Sequence, residues 1–391
     1  MGGGDRRRLK PMLVPADLET PRLLLDEARM MRNIERMQSR MDALGVRFRP
    51  HVKTSKCPEV ARRQIAAGAR GITVSTLKEA ERFFAEGVTD ILYAVAIAPG
   101  KFDHAMRLAR QGLRLTLLAE SVAAAEQLTR HGNEHGHCHE VLIEVDTDAH
   151  RSGVRPGDPL LVAVAGALHA ERGRGARLAG VMTHAGSSYG LSDPEELAAL
   201  AEQERAGCVE AAQRLRAAGH RCDIVSVGST PTALSARSLA GVTEVRAGVY
   251  VFFDLVMAGV GVCGRDEIAI SVLCSVIGHR PDVGWIITDA GWMAMSRDRG
   301  TQKQPHDFGY GAVCDVAGNA IEQLAFNDAN QEHGVLQWTG ARDVDLARRF
   351  PLGSQLRIVP NHACATGAQF DSYAVLSPAG MQEWPRFNGW S

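Results

Sequence analysis

"RFRPHVKTSKCPEVARRQIAAGARGITVST", residues 47–76, holds the repeating unit of the fold. Residues 48–54 read as an extended run. "CPEVARRQIAAGA" then spaces its apolar residues as an amphipathic helix does, and a glycine stands near its end. "GITVST" (71–76) is extended again. Two strands joined through a helix pair in parallel, with a right-handed crossover. Outward from this stretch the same alternation continues, with further strands expected at 91–97, 114–120, 140–148, 178–186, 223–230 and 244–250. Eight such strands predict a (β/α)8 TIM-type barrel. No Gly-x-Gly-x-x-Gly turn follows the first strand, which speaks against a doubly wound sheet.

Past about residue 262 the helical periodicity fades. "IAISVLCSVIGHR", "GWIITDAGWMAM" and "LRIVPNHACATGAQF" are strand-like and separated by turn residues. The expected organisation is a tail over 1–11, an α/β barrel over 12–264 and a mostly β domain over 265–391. Residues 12–30, with the strand-like "TPRLLLD", are expected to pack with the β domain.

The chain has 391 residues, 44 basic against 45 acidic, and a net charge of -1. That balance argues against nucleic-acid and membrane-surface partners, which select for positive charge. The eight cysteines form no CxxC pair, so a reduced, cytoplasmic protein is expected. The charged start is followed by no apolar h-region, and no run is long enough to span a membrane.

Barrel enzymes work at the C-terminal ends of their strands. On the first strand, alternation puts Arg49, His51 and Lys53 on one face. A lysine turned into a barrel is costly unless used; desolvated, it becomes a nucleophilic amine, and the alternative is that all these charges lie on the barrel rim. Lys56 lies beyond the strand and is expected to face solvent. Strand five runs into His150 and Arg151, and strand six into His184 and Tyr189. Strand seven ends in Gly228, Ser229 and Thr230, and strand eight carries Gly248 and Tyr250. The loops after these last two strands commonly hold a phosphate, and an ordinary Gly/Ser turn is the alternative. A phosphate site facing an inward lysine is what pyridoxal 5'-phosphate requires. In the β domain, His362 and Cys364 would share a strand face and suit zinc or another divalent metal; a core cysteine near a histidine is the alternative. "HGNEHGHCHE" (131–140) looks like a metal cluster. It is read instead as a solvated helix-to-strand loop at the end of the barrel away from catalysis.

"RPHVKTSK", "THAGSSY", "SVGSTPT", "EVRAGVYVFFD", "DAGWMAMS", "QEHG" and "PNHACATGAQF", in this order, resemble the D-serine dehydratase / D-threonine aldolase family. These are fold-type III pyridoxal phosphate enzymes, similar to alanine racemase, and the resemblance runs from residue 18 to about 388. It implies that Lys53 is the Schiff-base lysine, and that Gly228, Ser229, Thr230, Gly248 and Tyr250 hold the phosphate. Arg151, His184 and Tyr189 would line the cofactor ring, and His362 and Cys364 would bind a divalent metal (Zn, or Mn, Co or Mg). It further implies a homodimer with shared active sites and D-β-hydroxy amino acid substrates such as D-threo-3-hydroxyaspartate, D-serine or D-threonine.

Two reactions stay open. In a dehydratase, Lys53 takes the Cα proton and a Lewis-acid metal helps the β-hydroxyl leave. In an aldolase, His184 would deprotonate that hydroxyl and the Cα–Cβ bond would break. Similar aldolases tend to carry HxD and similar dehydratases HxC, so "HAC" favours the dehydratase. A non-catalytic pyridoxal phosphate homeostasis protein resembles the barrel alone and lacks the β domain. A racemase would need a second base, for which Tyr310 is the candidate. Arg297 and Arg299 could bind a second substrate carboxylate, or belong to a solvated dimer-interface loop.

Overall fold

The computed structural model describes residues 14–15, 17–169 and 174–390; the expected tail over 1–11 lies outside the described residues. In chain order the principal elements are β1 (Arg22–Asp26), α1 (Glu27–Ala43), β2 (Arg47–Phe48), α2 (Pro58–Ala66), β3 (Ile72–Val74), α3 (Leu77–Ala85), β4 (Asp90–Ala96), α4 (Phe102–Arg110), β5 (Arg114–Ala119), α5 (Val122–His135), β6 (His139–Glu144), α6 (Leu160–Leu168), β7 (Ala176–Met182), α7 (Pro194–Ala217), β8 (Ile224–Val227), α8 (Thr230–Ser235), β9 (Glu244–Val245) and α9 (Leu255–Val260). They are followed by β10 (Ile270–Arg280), β11 (Trp285–Thr288), α10 (Trp292–Met295), β12 (Gly311–Cys314), β13 (Ala320–Ala329), β14 (Gly334–Trp338), α11 (Leu346–Arg349), β15 (Gln355–Pro360), α12 (Ala363–Gly367), β16 (Ser372–Ser377) and β17 (Gly380–Pro385).

The chain forms two compact units. Among the described residues, one comprises 31–251, 257–264 and 386–390; the other comprises 14–30, 252–256 and 265–385. The chain thus passes between units several times: besides residues 14–30, the short segments 252–256 and 257–264 and the C-terminal segment from 386 also alternate between the two.

The first unit is a curled parallel sheet in the order β2-β9-β8-β7-β6-β5-β4-β3. Helices between successive strands cover its outer face, so the strands read as continuous apolar runs; β6 is buried along its whole length. Leu92, Leu118, Leu142 and Met182, from four neighbouring strands, pack together. A polar ladder runs beside them. Arg49 bonds Glu244 at 3.1 Å and Asp90 at 2.8 Å, and Ser226 bonds Glu244 and Arg246 at 2.8 and 2.9 Å. Beyond the ends of β2, an isolated parallel bridge joins His51 to Thr73 of β3.

The second unit holds a nine-stranded sheet, β11-β14-β13-β12-β15-β10-β1-β16-β17. It is antiparallel except where β1 lies parallel to β16. The "PRLLLD" run is therefore a strand of this sheet.

Two sequence expectations change here. Several strands stop earlier than read: the first after Phe48 rather than 54, the sixth after Met182 rather than 186, the eighth after Val245 rather than 250. Apolar and β-branched runs mark a strand but do not say where its partner stops pairing. The "HGNEHGHCHE" stretch is also not a loop. Helix α5 continues through His135, Gly136 closes it in the left-handed conformation, and buried His139 opens β6.

Candidate active site

The candidates of the first unit stand just past the parallel ladders, on the connections leaving the C-terminal ends of the strands. Lys53 sits in the turn after the His51 bridge and is exposed. The expected buried lysine on a strand face is thus corrected: the ladder ends before it. Its backbone N–H donates to His51 Nδ1 at 3.4 Å. His51 itself is held well below its ordinary pKa by burial and then by the Lys53, Arg246 and His184 charges.

His184 follows β7 and reaches the Gly228 carbonyl at 3.0 Å from Nδ1. Burial, reinforced by the Lys53, Arg246 and Arg151 charges, lowers the imidazole to about 3. A neutral ring can donate to a carbonyl only from a protonated Nδ1, so Nε2 is its acceptor. Tyr189 lies in the 186–190 turn with its ring centroid 6.1 Å from that of His184. Arg151 is exposed and pairs at 3.1 Å with the buried carboxylate of Glu144.

Gly228 has φ +126°, and a Cβ there would collide with the Arg246 carbonyl. Its N–H bonds Glu204 at 3.0 Å, and the Ser229 N–H bonds the Thr232 hydroxyl in a capping box that opens α8. Thr230 is the first helical residue, so its N–H has no acceptor within the helix. The Thr230 hydroxyl accepts from the Tyr250 N–H at 3.2 Å, which joins the two loops. The Tyr250 phenol, however, is fully buried, accepts from Gln64 at 2.8 Å and packs on Phe48. The side chain is thus a core group, and it is the backbone of Tyr250 that borders the turn. At Gly248 a Cβ would lie 3.0 Å from the His51 carbonyl.

These features fit a phosphorylated aldehyde. An amine stands on a turn, glycines clear two strands' ends, hydroxyls of Ser229 and Thr230 border them, and a neutral imidazole stands close by. Lys56 departs from its reading. Its ammonium pairs with buried Glu79 at 3.3 Å and donates to the Asn388 carbonyl at 2.5 Å, so it anchors the C-terminal segment.

In the second unit His362 caps α12, and Cys364 lies in its first turn, not on a strand. His362 Nδ1 meets Asp298 Oδ2 at 2.5 Å. Burial works against the imidazolium, but the Cys364 thiolate and Asp298 outweigh it and raise the imidazole to about 11. A carboxylate on Nδ1 leaves Nε2 for a metal, which would displace the proton that Cys364 and Asp298 stabilise on the ring, so this donor set fits a divalent ion with thiolate and imidazole ligands. Of the two arginines nearby, Arg299 pairs with Asp307 at 2.8 Å and Arg297 stacks on Trp292.

Sequence reasoning missed Asp298, hidden between those arginines, and Glu204. The latter lies on the buried face of α7 with Ala201, Cys208 and Ala211. A carboxylate on an apolar helical stripe was the available signal. Its Oε1 accepts the N–H groups of Ala185 and Gly228 at 2.9 and 3.0 Å, tying the His184 loop to the Gly228 turn.

The chain matches the alanine racemase N-terminal domain over residues 25–256 and the putative serine dehydratase domain over 269–376. It is 61% identical to the D-threo-3-hydroxyaspartate dehydratase of Delftia sp. (strain HT23), across 95% of this chain and 98% of that one. With the D-threonine aldolase of Arthrobacter sp it shares 31% identity, across 96% and 94%. A solved metal-free form of a cysteine-to-alanine mutant of D-threo-3-hydroxyaspartate dehydratase superposes with a TM-score of 0.93 at 60% identity, covering 96% of this chain and 99% of that one. The chain therefore belongs to the alanine racemase-like family of pyridoxal phosphate-dependent lyases that carry a serine dehydratase domain.

Proposed function

We propose that this chain is a dehydratase of D-3-hydroxy amino acids, with D-threo-3-hydroxyaspartate as its substrate and a 2-keto acid and ammonia as products. The observation that carries this is the His362–Cys364 pair with Asp298 on the far nitrogen of the histidine. Solved mutants of the related dehydratase alter a histidine and a cysteine two positions apart, and the cysteine mutant is metal-free. The same spacing here supports His362 and Cys364 as metal ligands, with zinc preferred by a thiolate.

Lys53 holds the cofactor, with Gly228, Ser229, Thr230, Gly248 and the Tyr250 backbone at its phosphate and Arg151, His184 and Tyr189 around its ring. When bound, pyridoxal phosphate supplies an electron sink for the bond broken at Cα. The metal supplies Lewis acidity to the departing oxygen. Lys53, once released, takes the Cα proton. The β-hydroxyl leaves with its bonding pair, and the enamine product hydrolyses to the keto acid and ammonia. Neutral His184, lowered to about 3, is a poor base at neutral pH, so it orients rather than deprotonates. That weighs against aldol cleavage, the second reading, which the likeness to a D-threonine aldolase keeps open.

In this reading the His51–Thr73 bridge closes the eight-stranded sheet into a barrel. The working protein is a homodimer with shared active sites in the cytoplasm. The test is a product assay on metal-reconstituted holoenzyme with D-threo-3-hydroxyaspartate and D-threonine. Ammonia and a 2-keto acid are expected. Glycine and an aldehyde would replace this reading with the aldolase.

A further inference from the structure

Helices α4 and α5 bring together three side chains of types that ligate metals. His131 and His135 are four residues apart on α5, so their rings lie on one face, with centroids 4.4 Å apart and planes at 28°. Asp103, in the first turn of α4, brings a carboxylate oxygen 3.0 Å from His131 Nε2. One donor atom from each of the three lies within 4.8 Å of the other two. Ligands held at about 2.0–2.1 Å in a tetrahedral shell stand about 3.3 Å apart, so small rotations of surface side chains complete the geometry.

The outer nitrogens are already arranged for this. His135 Nδ1 lies 2.8 Å from the His131 carbonyl, which accepts its proton and leaves Nε2 as the ligand atom. His131 Nδ1 lies 3.0 Å from Nε2 of His139. His139 is buried at the start of β6. With His139 Nε2 as acceptor for the proton on His131 Nδ1, His131 Nε2 is free for an ion. Each imidazole thus has a backing acceptor of the kind that metal-bound histidines use. Without an ion, His131 and Asp103 hydrogen-bond to each other.

We propose that Asp103, His131 and His135 form a second divalent transition-metal site, separate from His362 and Cys364, that clamps α4 to α5. Two imidazoles and one carboxylate select zinc, nickel or cobalt over magnesium or calcium. Asp103 and His135 are exposed, so water fills the remaining positions. The site holds an ion and does no chemistry on the substrate.

The test uses full-length holoenzyme stripped with a chelator and dialysed against zinc alone, with zinc per chain measured by elemental analysis. Four proteins are compared: wild type, His135→Gln, Asp103→Asn and Cys364→Ala. Wild type is expected to hold one more zinc than His135→Gln or Asp103→Asn, while both variants keep full ammonia release. Cys364→Ala is expected to keep the α4–α5 ion. Affinity at this site should fall in His135→Gln by more than the roughly tenfold that loss of a backing partner costs. Cobalt bound to Cys364→Ala should show a visible spectrum without thiolate charge transfer, and adding His135→Gln should abolish it. Equal zinc content in wild type and in both α4–α5 variants, with unchanged melting temperatures of the metal-free proteins, overturns the proposal.

Discussion

Lys53 and Lys56 are three residues apart and stand in different surroundings. Lys53 stands exposed on a turn beside two imidazoles that burial keeps neutral. Lys56 is sequestered against Glu79, whose carboxyl is raised by burial and pulled back by the Lys56 charge. Lys53→Ala is expected to abolish the visible absorbance of lysine-bound pyridoxal phosphate with little change in melting temperature. Lys56→Ala should keep that absorbance and lose stability. It strands a fully buried carboxylate, which costs about 3 kcal/mol, less what Glu79 recovers by taking up a proton. Denaturant titration with absorbance read in parallel separates the two, and loss of the cofactor band in Lys56→Ala alone would reverse the assignment. The sequence placed Lys53 inward on a strand, whereas the structure exposes it on the turn beyond β2. It could not show that Lys56 has a partner, because Glu79 and the Asn388 carbonyl reach it only in the folded chain.

At the scale of elements, the C-terminal connections of β7 and β8 are held in register by one side chain of α7. Glu204→Leu removes the acceptor of two backbone N–H groups, and each such loss costs about 1–3 kcal/mol when the donor stays buried. A lower melting temperature and weaker retention of pyridoxal phosphate are both expected. Gly228→Ala should behave alike, because φ +126° and the Arg246 carbonyl leave no place for a methyl group. Unchanged stability in the Gly228→Ala protein would mean that the turn rearranges without cost. The same elements set a pH dependence. Unfolded, His139 and His184 take up protons near 6.5; folded, they do so only at about 3. The unfolded chain then binds more protons between those values, so stability is full above about 6.5 and declines as pH falls toward 3. Melting temperature against pH should show that slope, and His139→Gln should flatten it.

At the scale of the molecule, the proposed homodimer makes a strict prediction. Lys53 and Cys364 lie in different units of the chain. If each site takes its lysine from one subunit and its metal ligands from the other, mixing inactive Lys53→Ala with inactive Cys364→Ala restores one intact site per mixed dimer. About a quarter of wild-type activity should then return after subunit exchange. No recovery, with mixed dimers demonstrated by mass, would place both groups in one subunit. The strand–helix alternation, the polar residues where each apolar run stops, and the His362–Cys364 pair were all legible in the sequence, because they depend on local periodicity and spacing. Tertiary structure alone decided where each ladder ends, that the Tyr250 phenol is core, and that Asp298 backs His362 from 64 residues away. It also decided that His184 meets Gly228 across 44 residues, and that Asp103 faces a histidine 28 residues further on. Those contacts form between chain segments that no local pattern relates, and only strand pairing and helix packing bring them within bonding distance.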